Sequence, residues 1–187
     1  NVNVNQSRTG ILTILNKMGA NIQLKNRKSY NGEKIADIFV KSKKNLGSIN
    51  CPSRLNSAAI DEFLIIFLAA AKAKGISTFR DLGEMNKKES KRLDLGIKFL
   101  RLIGIKVERF GNDIKIHGNP NLKLSGKFEV KNFLKDHRIF FLSCIAALTL
   151  GGIWKINDKQ SANTSFPKFL KTCKFLGAKI NWKKEKN

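Results

Sequence analysis

The sequence predicts an α/β fold of repeated helix–strand–helix–strand units, with apolar helices at the centre and sheets around them. Three observations lead there. Residues 15–22, 100–107 and 173–180 end alike, each reading as a helix that closes on a glycine (Gly19, Gly104, Gly177) and then a strand. Glycine takes the left-handed cap conformation without steric cost. Upstream of the last two lies a second shared pattern: Asp61-Glu62 precedes the run 63–71, Gly75 and the β-prone 76–79, and Asp136-His137-Arg138 precedes 139–150, Gly152 and 153–156. The two acidic starts precede Gly104 and Gly177 by nearly the same distance, which suggests two copies of one unit. The third observation is that 63–71 and 139–150 are apolar on every side, so both helices must be buried.

Taken in order, residues 8–18 read as a short helix with Ile11, Leu12, Ile14, Leu15 and Met18 inward. Residues 36–40 read as a strand, with Asn31-Gly32 as the turn signal. The stretch 89–103 is amphipathic, placing Leu93, Ile97, Leu100 and Ile103 on one helical face. Strands at 106–109 and 114–117 flank Gly111-Asn112-Asp113, a hairpin signal, and Pro120 and Gly126 punctuate the crossing into the next copy. A last helix is expected at 165–175. The start of the chain carries the second half of one further copy. The expected organisation is one incomplete lobe without an interdomain linker: a partial repeat over about 1–50, repeats over about 51–117 and 118–182, and a basic tail at 183–187.

Composition narrows the class. An apolar fraction of 42% over 187 residues excludes general disorder. Residues 1–6 hold no basic region followed by an apolar one, so no signal peptide is expected. The longest uncharged run, 139–154, falls short of the roughly 20 apolar residues of a membrane span. Three scattered cysteines and two histidines, without a Cys-x-x-Cys pair, argue against a structural zinc site and suit a reducing cytoplasm. The net charge of +22 invites a nucleic-acid reading. However, lysine supplies 28 of the 36 basic residues and is spread along the chain, as AT-rich coding would leave on solvated surfaces. Specific nucleic-acid binding is not expected. Attraction of small anionic ligands is.

If the copies are related by rotation about one axis, their helices run parallel and begin at one end. The predicted starts are Ser7-Arg8-Thr9, Asp61-Glu62, Lys87-Lys88-Glu89-Ser90, Asp136-His137-Arg138 and Asn163-Thr164-Ser165. Converging N-termini offer free N–H groups and the positive dipole ends, and Arg8, Lys88, Arg92 and Arg138 add cations suited to phosphate and carboxylate. Each residue also has a structural alternative. Asp61 and Glu62 fit as ordinary first-turn acids, Glu89 as a cap or helix ion-pair partner, Arg138 as a snorkelling cation and His137 as a satisfied polar group. Recurrence of charged chemistry at equivalent positions favours function. Phosphate-loop, dinucleotide and nucleophile-elbow motifs are absent.

Joint motifs make the chain resemble the C-terminal part of the EPSP synthase (3-phosphoshikimate 1-carboxyvinyltransferase) family. Arg8-Thr9-Gly10 through Met18-Gly19-Ala20 resembles its "RTG…L…MGA" stretch, Ile60-Asp61-Glu62 its "IDE" and Lys88-Glu89-Ser90 with Arg92 its "KESDR". Asp136-His137-Arg138-Ile139 resembles "DHRI", and Thr164-Ser165-Phe166-Pro167 "TSFP". The resemblance implies repeated βαβαββ units in an inside-out lobe, with the first repeat truncated. It also implies transfer of the enolpyruvyl group of phosphoenolpyruvate to the 5-hydroxyl of shikimate 3-phosphate, releasing phosphate. Under it, Asp61 binds shikimate 3-phosphate and serves the 5-hydroxyl, and Glu89 transfers a proton at the phosphoenolpyruvate methylene. Arg92 and Arg138 grip phosphoenolpyruvate beside His137, a hydrogen-bonding or relay group, and Lys88 stands on the shikimate 3-phosphate side. It further implies a cytoplasmic monomer, no metal or organic cofactor, and an N-terminal lobe, outside this sequence, that supplies the opposite wall. Lys91, Asn86 and Thr164 depart from the family pattern, replacing Asp, Arg and, in some members, Lys. The related UDP-N-acetylglucosamine transferase and a non-enzymatic basic nucleic-acid module are the alternative readings.

Overall fold

The computed structural model describes residues 1–133 and 135–181, so the basic tail at 183–187 lies outside the described residues. The chain forms two compact units, Asn1–Leu124 and Ser125–Asn187.

In the first unit, β1 (Val2–Asn3) leads through a single 3-10 turn into α1 (Gly10–Lys17), followed by the hairpin of β2 (Asn21–Tyr30) and β3 (Glu33–Lys41). The hairpin turn puts Asn31 at φ 49° and Gly32 at φ 79°, the left-handed pair that a two-residue hairpin turn requires. The strands order β1-β3-β2, all antiparallel. After α2 (Asn56–Ala59) and α3 (Phe63–Ala71), the chain repeats the design. There, β4 (Gly75–Phe79) is followed by α4 (Arg92–Leu102) and the hairpin of β5 (Val107–Phe110) and β6 (Asp113–Gly118). This sheet orders β4-β6-β5, again antiparallel, so strand, helix and hairpin recur with one topology.

In the second unit, β7 (Lys127–Val130) and β8 (Ile153–Ile156) pair in parallel across α5 (His137–Leu150), and α6 (Phe169–Phe175) follows. The first unit holds a shorter version of the same crossover. Parallel bridges Gly47 to Lys74 and Asn50 to Thr78 set residues 47–50 beside β4 across α3. The repeat therefore includes residues 47–50, just ahead of the expected boundary at 51. None of the three sheets closes on itself among the described residues.

All three expected glycine caps form. Gly19, Gly104 and Gly177 stand at φ 86°, 80° and 96°. In each, the next N–H reaches five residues back: Ala20 to Leu15 O at 2.9 Å, Ile105 to Leu100 O at 2.9 Å and Ala178 to Cys173 O at 3.0 Å. These bonds satisfy carbonyls that the helix end would otherwise leave open. A strand follows the first two caps but not the third. β2 and β5 have the returning partners β3 and β6, and no described residue offers one to 178–181.

Two helix starts differ from expectation. α4 begins at Arg92 and not at Glu89, because Lys88 is extended at ψ −167°. α6 begins at Phe169 and not at Ser165. Pro167 disfavours helical geometry at Phe166, and a turn from Phe166 O to Phe169 N at 2.9 Å occupies that stretch.

α3 forms the heart of the first unit. Phe63, Ile66, Phe67, Ala70 and Ala71 are buried, and Phe63, Phe67 and Phe79 contact one another with centroids 5.3–6.0 Å apart. Close approach by α4 depends on Gly96, where a Cβ would stand 2.8 Å from Leu64 Cδ2. α5 is likewise largely buried, and its Ser143 hydroxyl donates to Ile139 O at 2.7 Å, which removes the cost of burying it. Leu148 and Thr149 remain exposed, so α5 is not covered all round as expected. Beneath α3, Ile114 and Ile116 of β6 are both 0% exposed. On β3, Ile38 and Val40, paired with Leu24 and Ile22, are 36% and 62% exposed. The three cysteines are free and buried, and burial pushes the Cys144 thiol up to about 12. Among the described residues no helix is long and apolar enough to cross a membrane.

Two outcomes are expected. Phe67→Ala should cost about 3–5 kcal/mol in urea unfolding, whereas Leu102→Ala, at an exposed position, should stay within about 0.5 kcal/mol. Replacing Ile38 and Val40 together by Thr should reduce self-association, measured by light scattering, with little change in the unfolding midpoint.

Candidate active site

The starts of three helices meet in the first unit, and the buried guanidinium of Arg92 is at their centre. Arg92 is the first residue of α4 and only 2% exposed. A buried charge requires charged or hydrogen-bonding partners. Its Nη1 donates to Asp61 Oδ1 at 3.2 Å, and its Nη2 to Glu89 Oε2. Asp61 lies in the turn just ahead of α3, where the backbone carbonyl of Glu62 accepts the N–H groups of Ile65 and Ile66 at 3.0 Å each. Two further cations face Asp61: Lys88 Nζ at 3.6 Å from Oδ1 and Arg8 Nη2 at 3.3 Å from Oδ2. Arg8 immediately precedes α1's cap residue Thr9.

Four sequence-predicted residues, Asp61, Lys88, Glu89 and Arg92, thus form one cluster. Its groups differ in access. Asp61 is mostly covered, while the Glu89 side chain is 63% exposed and presents its carboxylate to solvent with one oxygen held by Arg92. Such a set can bind an anion through Lys88 and Arg92 and hold two carboxylates within reach of it. Among the described residues no group of three or more potential metal ligands occurs.

His137 and Arg138 belong to the second unit, in the first turn of α5. Asp136 is the N-cap there; its buried carboxylate accepts the Arg138 N–H at 2.8 Å, the side-chain cap expected of Asp at this position. The His137 ring meets Phe141 edge to face at 5.8 Å. Thr164 is exposed, and its hydroxyl donates to Ser161 O at 3.4 Å.

The loop carrying Lys88 and Glu89 is braced by Asn86. Asn86 Oδ1 accepts the N–H groups of Leu93 at 3.0 Å and Asp94 at 3.4 Å, capping α4 from six residues upstream of its start. Ordinary capping patterns do not reach that far, so the role is hidden in sequence. Asn86 Nδ2 also donates to Asp94 Oδ1 at 3.0 Å, and Arg109 Nη1 donates to the same oxygen at 2.7 Å. Burial raises the Asp94 pKa, but these two hydrogen bonds and the charges of Arg109 and Lys91 outweigh it and hold the carboxyl below its ordinary value. Lys91, the residue just ahead of α4, adds the smallest of these lowering effects.

The family model for EPSP synthase (3-phosphoshikimate 1-carboxyvinyltransferase) matches residues 1–173, and the chain belongs to that family. It is 39% identical over 180 residues to the 3-phosphoshikimate 1-carboxyvinyltransferase of Ruthia magnifica subsp. Calyptogena magnifica, covering 96% of this chain and 40% of that protein. The enzyme of the same name from Zymomonas mobilis is 35% identical over 182 residues, with the same coverage. The solved EPSP synthase from Acinetobacter baumannii superposes with a TM-score of 0.85 at 32% identity, over 93% of this chain and 40% of that one. The chain therefore spans about two fifths of the length of these relatives.

Two measurements check the cluster. Asp61→Ala removes one partner of the buried guanidinium and should cost about 3 kcal/mol in urea unfolding. Asp94 is held below its ordinary pKa, so its contribution is present above the unfolded-state value and lost as pH falls through the folded one. The wild type should therefore lose more stability than Asp94→Asn on going from pH 7 into the acid range below the ordinary carboxylate pKa of about 3.9, in paired urea melts.

Proposed function

We propose that this chain is the C-terminal portion of a 3-phosphoshikimate 1-carboxyvinyltransferase of the shikimate pathway of aromatic amino-acid biosynthesis, a cytoplasmic enzyme. The observation that carries this reading is the buried Arg92 joined to both Asp61 and Glu89, with Lys88 alongside, in a chain of the EPSP synthase family. In the proposed reaction the 5-hydroxyl of shikimate 3-phosphate gives its proton to Asp61, and its oxygen bonds to the central carbon of phosphoenolpyruvate. Glu89 protonates the methylene carbon, giving a tetrahedral intermediate. Glu89, left as a carboxylate, then takes a proton back from the new methyl group, which reforms the double bond as the carbon–oxygen bond to phosphate breaks and phosphate leaves. General acid–base steps of this kind contribute about 10²–10⁴-fold each.

Arg92 fits the carboxylate or phosphate of phosphoenolpyruvate because a planar guanidinium both orients and attracts. Arg138 is proposed to share that task with His137 beside it, and Lys88 to face the 3-phosphate of the second substrate. The rest of the enzyme supplies the remaining contacts, so the 187-residue chain alone should show no turnover. For a nucleic-acid role, Phe63, Phe67 and Phe140 are core residues unavailable for base stacking, whereas Phe39, Phe110 and Phe175 are exposed.

The test is steady-state kinetics on the chain completed with the missing part of the enzyme. Glu89→Gln should lower kcat by about 10²-fold or more with a much smaller change in KM. An unchanged kcat refutes the role of Glu89, and no transfer by the completed wild type refutes the proposed reaction.

A further inference from the structure

α4 opens without help from its own cap residue. Lys91 stands at the N-cap, where its side chain has no acceptor to offer the first turn and makes no cap hydrogen bond. A cation at that end is also opposed by the helix dipole. The N–H groups that an N-cap side chain ordinarily serves are those of the second and third helical residues, here Leu93 and Asp94. Asn86 Oδ1 accepts both, at 3.0 and 3.4 Å. The other end of that amide is committed as well. Its Nδ2 donates to Asp94 Oδ1 at 3.0 Å, an oxygen also held by Arg109, whose Nε donates to Gly111 O at 2.8 Å. Met85, fully buried, seats the residue just before it. The Asn86 side chain thus closes a loop over residues 87–92, and Lys88, Glu89 and Arg92 lie inside it.

We propose that Asn86 does the capping that Lys91 cannot, and is thereby a positioning residue for Glu89 and Arg92. What those two residues do rests on the transferase reading; where they stand does not. Arg92 is the first residue of α4, with its N–H on Ser90 O at 2.8 Å, and its guanidinium holds one oxygen of Glu89. A first turn that frays moves the Arg92 backbone, and the Glu89 carboxylate follows the guanidinium it is paired to. Asp61 still anchors the far end of the Arg92 side chain, so the effect is a displacement of the pair and not its loss. Closing the loop also limits the conformations open to Lys88. The cap does this without using a residue of the catalytic set.

Two measurements decide it. In the intact 187-residue chain, Asn86→Ala should speed hydrogen exchange at the Leu93 and Asp94 amides. The increase should be about 5-fold or more beyond any change at Phe99 and Leu100, the effect of losing a typical cap. Lys91→Ser gives the N-cap residue its own acceptor and should restore slow exchange when added to Asn86→Ala. Lys91→Ala removes the same cation without supplying an acceptor and should not. In the enzyme completed with its missing part, Asn86→Ala should lower kcat by about 10-fold or more with a smaller change in KM, because a misplacement of about 1 Å costs up to about 10²-fold. Lys91→Ser should recover that loss. Unchanged exchange in Asn86→Ala, or equal rescue by Ser and Ala, overturns the cap; faster exchange with wild-type kcat overturns the positioning role. If Asn86→Ala does not fold, its combination with Lys91→Ser should, and a failure of both overturns the proposal. A completed wild type without transfer sinks the transferase reading and the positioning role with it, while the exchange rates, which need no turnover, still decide the cap.

Discussion

Removing a guanidinium from water carries a penalty of several kcal/mol that only well-placed anionic partners offset, and in this chain Arg92 sets that condition. Its partners come from two places: Asp61 ahead of α3, and Glu89 in the loop ahead of α4. The ion pairs therefore fix the two helix starts against each other, and Arg8 and Lys88 gather around the carboxylate that Arg92 draws inward. A cluster that needs its own acids to stay buried is also one that can exchange them for a ligand's. The same requirement that organises the helix starts thus gathers the charges on which the proposed anion binding rests.

The repeated architecture explains why helix starts are available at one place. Each antiparallel sheet of the first unit is made by a strand, a helix and a hairpin whose last strand returns to the middle. Each such helix ends on a left-handed glycine that turns the chain straight into the hairpin. The candidate site residues sit on the short segments ahead of the helices or, like Arg92, at the first helical residue. The segment ahead of α4 is braced by Asn86, a distant cap of the helix, and Lys91 adds a small charge effect on Asp94.

Much of the fold was legible because its signals are local. The runs Phe63–Ala71 and Ile153–Ile156 occur where apolar periodicity and flanking glycines placed them, and the Asn31-Gly32 hairpin formed as its turn chemistry requires. The starts of α4 and α6 fall later than expected because the backbone ahead of them is committed otherwise, by extension at Lys88 and by Pro167. The exposed face of β3 was equally out of reach, because Ile38 and Val40 look no different in sequence from the buried Ile114 and Ile116.

For the site, the residue types were determined by sequence: Asp61, Lys88, Glu89 and Arg92 stand in the motifs that carry the family resemblance. Which of them touch was decided by tertiary structure. Arg8 reads in sequence as one more cation for an anion pocket, yet it is bound to Asp61 across 53 residues. Nothing in a linear pattern can state that pairing. It arises because α1 packs tightly on α2, and an ion pair depends on a distance of a few ångströms that only the packed core sets.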